Sequence, residues 1–349
     1  MLFEAPREYS SQSLNAQDFS DLGDKYLKSQ QYDKAITYFD KALALNPRDY
    51  SSYVSRGTAY GELGQYRQSI DSCNKAAELC PTKVSAFIAR SCAYAHLGQY
   101  RKTLDDCNIA LRINPESTAA LMNRGAAHAM LREYSQAVKD FSGVIKLEPK
   151  NPEAYYNRAC AYGHLSDYQK KIDDCSMAVF LDPKNVLAYI NRGSAYGKLG
   201  QYKSNITDCD VALRLDPKNV LALTSRGWAY GQLRQFQKEI DDCSKALSYD
   251  HRNELSYVNR GWAYGRLAKY SQGIDDCTKA ISLDSKDAYA YYNRGWIYGK
   301  IGRHSDQIAD QAKATSLDPK FVPAYCNLAI GTINQSKEQL RSWQFGQRP

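Results

Sequence analysis

Residues 259–270 read NRGWAYGRLAKY, a phrase that recurs as SRGWAYGQLRQF at 225–236 and as NRGWIYGKIGRH at 293–304. The step is 34 residues and continues far beyond these copies: Arg56, Arg90, Arg124, Arg158, Arg192, Arg226, Arg260 and Arg294 keep it without a gap. Prolines keep it too, at 47, 81, 115, 149, 183, 217 and 319, replaced only by His251 and Ser285. Nine complete units run from Ala16 to Phe321. A fixed period of this size marks stacked supersecondary units, each too small to bury its apolar face alone.

Within a unit the pattern predicts two helices. Tyr53, Gly57 and Tyr60 fall at i, i+4, i+7, one face of a helix. Gly64 interrupts that face, and a second helix follows with Ile70, Cys73 and Ala77 until Pro81 bars its continuation. Asp49, Ser117, Asn151, Asn185, Asn219, Asn253 and Asp287 stand where the next helix needs an N-cap.

In the first unit Phe19, Leu22, Gly23, Tyr26, Ala35, Phe39 and Pro47 resemble the signature of the tetratricopeptide repeat. The resemblance implies an all-α fold, a right-handed superhelical solenoid of antiparallel helix pairs, with the first helix of each pair lining a concave groove. Residues 1–15 then form an N-terminal extension. Residues 322–335 serve as a capping helix of the kind such stacks require, and 336–349, with Trp343 and Phe345, are a tail outside the pattern. Two departures stand out. The family's Leu becomes Arg in units two to nine, and its small second-helix Ala becomes Lys171, Asn205, Glu239, Gly273 and Gln307.

Composition narrows the function classes. With 349 residues, 43% hydrophobic, the chain can bury a sizeable core. The mean hydropathy of −0.59 and the lack of a long apolar run speak against a membrane span. MLFEAPREYSSQSLN has no apolar stretch of a secretory signal. Six of the ten cysteines (Cys73, Cys107, Cys175, Cys209, Cys243, Cys277) share one slot of the repeat, so they read as small apolar residues, not a disulfide framework. A reducing cytoplasm is the expected location. The net charge of +8 permits an acidic partner.

The arginine column invites comparison with an anion ladder, yet an aspartate recurs sixteen residues after each arginine from Arg90 onward, at 106, 140, 174, 208, 242, 276 and 310. Where Leu22 replaces Arg, the partner is Tyr38; only Arg56, opposite Ser72, breaks the rule. An ion pair tying the two helices of a unit is the expectation. Cys92 with His96 and Cys160 with His164 could each aim two ligands at a metal, but the pairs lie a whole unit apart, beyond the reach of one zinc. No Walker loop, nucleophile elbow or dinucleotide fingerprint occurs. No metal, no cofactor and no catalysis are expected.

The tryptophans remain. Trp228, Trp262 and Trp296 occupy a slot filled elsewhere by Thr58, Cys92, Ala126, Cys160 or Ser194. At about 100° per residue Trp262 lies far from the Tyr257, Gly261 and Tyr264 face, on the side that the family geometry turns to the groove. The spacing predicts a row of indoles about one helix apart, with Gly231, Gly265 and Gly299 leaving room beside them. Asn259, Asn293 and Asn327 offer amides to an extended backbone, Lys198, Arg266 and Lys300 add positive charge, and Tyr292 completes the surface. Trp and Arg are the residues most common at binding hot spots; the competing account is that the indoles only fill space between helices. The family's carboxylate clamp, a Lys and an Asn in the first groove helix, is replaced by Ser20 and Asp24, which disfavours a chaperone tail. The reading is therefore a non-enzymatic scaffold binding a peptide or extended protein segment in the C-terminal half of its groove. Single-stranded nucleic acid on stacked indoles, or presentation of a substrate to a separate enzyme, are the alternatives; the mild charge disfavours nucleic acid.

Overall fold

The computed structural model describes residues 14–346, with side chains through Arg341. Trp343 and Phe345 therefore lie outside the described side chains, as does most of the extension 1–15. Among the described residues nine helices of 13 residues alternate with nine of 14, and Val322–Gly346 follows. The first helices start at Ala16 and then every 34 residues to Ala288, in register with the arginine column. The last helix was expected over 322–335; it continues to Gly346, and Gln335 Nε2 donates to Ser305 Oγ at 2.9 Å from within it.

Local chemistry accounts for the boundaries. All seven expected N-caps accept a backbone N–H through their side chains, and Asn15 adds a capping box with Asp18. Inside each repeat the turn places one residue at positive φ. Glycine fills it in four repeats, as at Gly64 with φ of 73°, but Gln30, Arg132, Ser166, Arg234 and Ala268 adopt it as well. At Ala268 the turn is a Schellman motif, with Lys269 N–H donating to Tyr264 O and Ala268 N–H to Gly265 O. The closing hydrogen bonds hold a conformation that a side chain disfavours.

The chain divides into two compact bodies, Met1–Asp167 and Tyr168–Pro349. In both, core clusters draw on consecutive helices. Ala35 and Phe39 pack with Ala59 of the next repeat, and Val258 with Ala280 and Ala290. Each of these clusters is completed by a residue of the following repeat, so neighbouring repeats depend on one another for their cores. Every member of the six-cysteine slot is fully buried, with Cys73, Cys243 and Cys277 against Gly57, Gly227 and Gly261 of their own repeats, and Phe39 and Phe141 stand in the same column. Burial pushes the Cys73, Cys107 and Cys209 thiols up to about 12, which leaves them unreactive.

Candidate binding surface on the C-terminal body

The arginines hold the first helices in place. Arg192 Nε and Nη2 bond both oxygens of Asp208 at 2.9 and 2.7 Å, and the same fork joins Arg90, Arg124, Arg226, Arg260 and Arg294 to their aspartates. A third contact escaped the sequence reading. Nη1 reaches back sixteen residues to the preceding repeat: Arg90 to Asn74, Arg124 to Asn108, Arg192 to Ser176, Arg226 to Asp210, Arg260 to Ser244 and Arg294 to Thr278. That column contains only hydrogen-bond acceptors, a signal the sequence did carry. Tyrosines flank the guanidinium: Tyr257 and Tyr264 lie 5.6 and 5.8 Å from Arg260. A planar fork with two stacking faces suits arginine and not lysine. At Arg56 the exception resolves itself, because Asp40 supplies the carboxylate and Ser72 accepts from Nε. In the first repeat Tyr38 stacks with Phe19 and Tyr26, filling with a ring the place of the ion pair.

The second departure has a steric counterpart. Asn205, Glu239 and Gln307 are buried, each opposite a first-helix glycine eight residues earlier. A methyl group at Gly231 would collide with the Glu239 carboxyl, and one at Gly299 would lie 2.6 Å from Gln307 Oε1. Gly265 faces Gly273, and the hole this leaves is filled by Ile297, which would meet a methyl at either glycine at 2.8 and 2.7 Å. Ile297 stands where seven other repeats have alanine.

Glycines 231, 265 and 299 thus do not simply make room for the indole three residues before each. Gly231 and Gly299 accommodate polar side chains of the second helix, while the indoles lean on the preceding repeat. A methyl at Gly197 would lie 2.7 Å from Trp228 Cζ3, and one at Gly265 3.2 Å from Trp296 Cζ3. Nor is the row evenly spaced. Trp262 and Trp296 touch, with centroids 5.1 Å apart, whereas Trp228 meets Tyr202 edge-on at 5.6 Å. The indoles are only partly buried, so packing uses one part of each ring and leaves another open.

Six of the ten expected residues line one cavity of about 900 Å³: Lys198, Trp228, Asn259, Trp262, Tyr292 and Asn293. The other four are not among its lining residues, although Trp296 touches Trp262. Arg266 lies 5.1 Å from the Trp262 ring and 6.0 Å from that of Trp296, and Lys300 lies 5.2 Å from Trp296. Asn327 lies near Tyr292, and its backbone carbonyl accepts from Gln307 Nε2. One amide differs from expectation: Asn293 is buried, and its Nδ2 donates to Val258 O, so it joins two helices.

Sequence reasoning missed the acidic wall of this cavity. Glu239, Glu254, Asp284 and Asp287 all line it. Glu239 is 2% exposed, its Oε2 has no hydrogen-bond partner, and burial pushes its carboxyl up to about 9 despite the charge of Arg266. Glu254 is pushed up to about 8 by burial, by a hydrogen bond with Asp287 and by the nearby acidic charges. The sequence hint was Glu239 itself, the one acidic side chain in its column.

The Cys–His pairs have a different setting. His96 stacks on Tyr66 at 4.7 Å and His164 on Tyr134 at 4.3 Å, nearly parallel. Arg266 takes the same slot over Phe236. Among the described residues no group of three or more His, Cys, Asp or Glu is placed to hold a metal ion. None of the described helices is long and apolar enough to cross a membrane.

Comparison with known proteins agrees with the helix pairs. A comparison with curated proteins finds no match. Of solved structures, the APC/C hetero-tetramer Cut9-Hcn1 is similar at 15% identity with a TM-score of 0.60, over 90% of this chain and 76% of that one. A tetratricopeptide repeat protein from Parabacteroides merdae is similar at 19% identity and a TM-score of 0.54, over 70% of this chain and 97% of that one. At such identities the likeness is one of fold. Family models described as Tetratricopeptide repeat match residues 16–49, 38–71, 141–173, 186–219, 255–287 and 277–309, about half of the chain. With the helix pairs, the capped turns and the period in agreement, the chain belongs to the tetratricopeptide repeat family.

Proposed function

We propose that this protein is a non-enzymatic scaffold that holds an extended protein segment against the first helices of its C-terminal body. The observation that carries this reading is the cavity beside Trp228 and Trp262, where partly exposed indoles stand over a large recess bordered by amides and charged groups. Large aromatic rings that keep an open face give contact area at little entropic cost. Lys198 is the one basic side chain among the residues that line the cavity, too little for a phosphate backbone, which favours a polypeptide over a single strand.

Trp262 is central, since it lines the cavity and touches Trp296. Truncation of a hot-spot aromatic costs roughly 2–4 kcal/mol of binding, about 30- to 900-fold in affinity. Trp262→Ala should lose the partner in a pull-down while its thermal melt stays close to that of the parent chain. A strongly lowered melt with the partner retained would mean that the indole is filler, and the reading fails.

A further inference from the structure

The cavity combines two features. Its walls carry the rings of Trp228 and Trp262, and they carry carboxyl groups whose hydrogen-bonding needs are unmet. Glu239, 2% exposed, has an Oε2 with no partner, and Glu254 Oε1 is also without one. Glu254 cannot move away from its neighbour freely, because Asp287 is fixed as the N-cap of Ala288–Lys300, accepting from Tyr289 N–H at 2.8 Å. Two carboxyls held together share a proton or need a counter-charge.

We propose that the cavity receives a basic side chain, the ammonium of a lysine or the guanidinium of an arginine, carried by the bound segment. This rests on the segment-binding reading above and names the chemistry of what is bound. A long cationic side chain brings N–H donors to the orphaned oxygens of Glu239 and Glu254. Its charge offsets the crowding of Glu254 by Asp287, and the indole faces attract it as they attract other organic cations. The protein's own cations do not fill this role. Arg266 is committed to the rings of Phe236, Trp262 and Trp296, and Glu239 Oε2 stays unpartnered beside it. Bare metal ions are disfavoured, since among the described residues no three ligating groups converge. An acidic side chain would bring a like charge to a wall already crowded with carboxyls.

The test uses the full chain and four acetylated, amidated peptides, Ala-Ala-Ala-X-Ala-Ala-Ala, with X arginine, lysine, norleucine or glutamate, titrated by tryptophan fluorescence. The arginine and lysine peptides should bind at least about tenfold more tightly than norleucine, with glutamate weakest. The gap between the two basic peptides tells which cation the site prefers. Glu239→Gln should shrink the advantage of the basic peptides to less than about threefold. Equal affinity for norleucine and the basic peptides, all weakened by Trp262→Ala, would overturn the charge inference and leave the segment-binding reading standing. Binding indifferent to Trp262→Ala would overturn that reading instead. No saturation by any peptide up to about 10 mM, a free energy below roughly 3 kcal/mol, would remove both.

Discussion

The two bodies are built on one backbone period but fill one interior column differently. In the N-terminal body the second helices carry Ala35, Ser69, Thr103 and Ala137 there, all small and buried. In the C-terminal body the same column holds Lys171, which is half-buried, and then Asn205, Glu239, Gly273 and Gln307. Thr103 satisfies its hydroxyl on Ser91 O, and Asn205 and Gln307 donate to Gly193 O and Asn327 O. Glu239 differs, since its Oε2 finds no donor. A repeat architecture thus accepts amides in a packing slot because each amide brings a donor to a nearby carbonyl. An ionised carboxylate has no donor to bring, and burial therefore holds Glu239 towards its protonated form. That carboxyl sits beside the cavity with the indoles, and not in the body that lacks them.

The largest effect should come from the device the two bodies share. Removing one partner of a buried ion pair costs roughly 3–5 kcal/mol, less where water reaches the guanidinium. Arg192→Ala should therefore lower the midpoint of chemical denaturation strongly, and exchanging the pair as Arg192→Asp with Asp208→Arg should recover part of the loss. A cycle without coupling would show the column to be independent of the aspartates.

The comparison sharpens at Ile297. Ala occupies this slot in repeats two to eight, yet Ile297→Ala should cost about 2–5 kcal/mol, because here the isoleucine fills the space between Gly265 and Gly273. A thermal melt within a degree or two of the parent would mean that the hole closes by itself.

Glu239 gives the signature that separates the bodies by pH. Its folded value of about 9 lies above the unfolded 4.5, so no penalty for burying its charge arises below pH 4.5. As pH rises from there the unfolded chain ionises while the folded one keeps its proton. Stability falls by about 1.4 kcal/mol per pH unit until the folded carboxyl itself ionises near pH 9. Glu239→Gln removes this slope and should stabilise the protein by on the order of 1–3 kcal/mol at pH 7, and hardly at all at pH 4. Denaturation curves at the two pH values check it; an equal gain at both would mean that the carboxyl is already ionised in the fold.

The smallest expected effect is at the turn. Ala268 adopts the left-handed conformation that four repeats give to glycine. Ala268→Gly should stabilise by about 1 kcal/mol, the strain of a side chain in that region less the added freedom of the unfolded glycine. A lower melting temperature would show that the alanine methyl makes a contact worth more than the strain.

The sequence alone determined the period, the helix pairs, their caps and the ion pairs of the arginine column. Each of these is local or lies at a fixed offset, and repetition displays the offset many times over. It also placed the three tryptophans on the side of the first helix away from the stacking face. What only the tertiary structure decided is what meets across repeats where a column is broken. Trp262 touches Trp296 while Trp228 turns to Tyr202; Ile297 reaches back to Gly273; Glu254 is caught against Asp287; and Glu239 faces Gly231 without a donor. The physical reason is that helix periodicity fixes the direction of a side chain, whereas its neighbours depend on the volumes left by other repeats. Those volumes follow from packing, not from spacing along the chain.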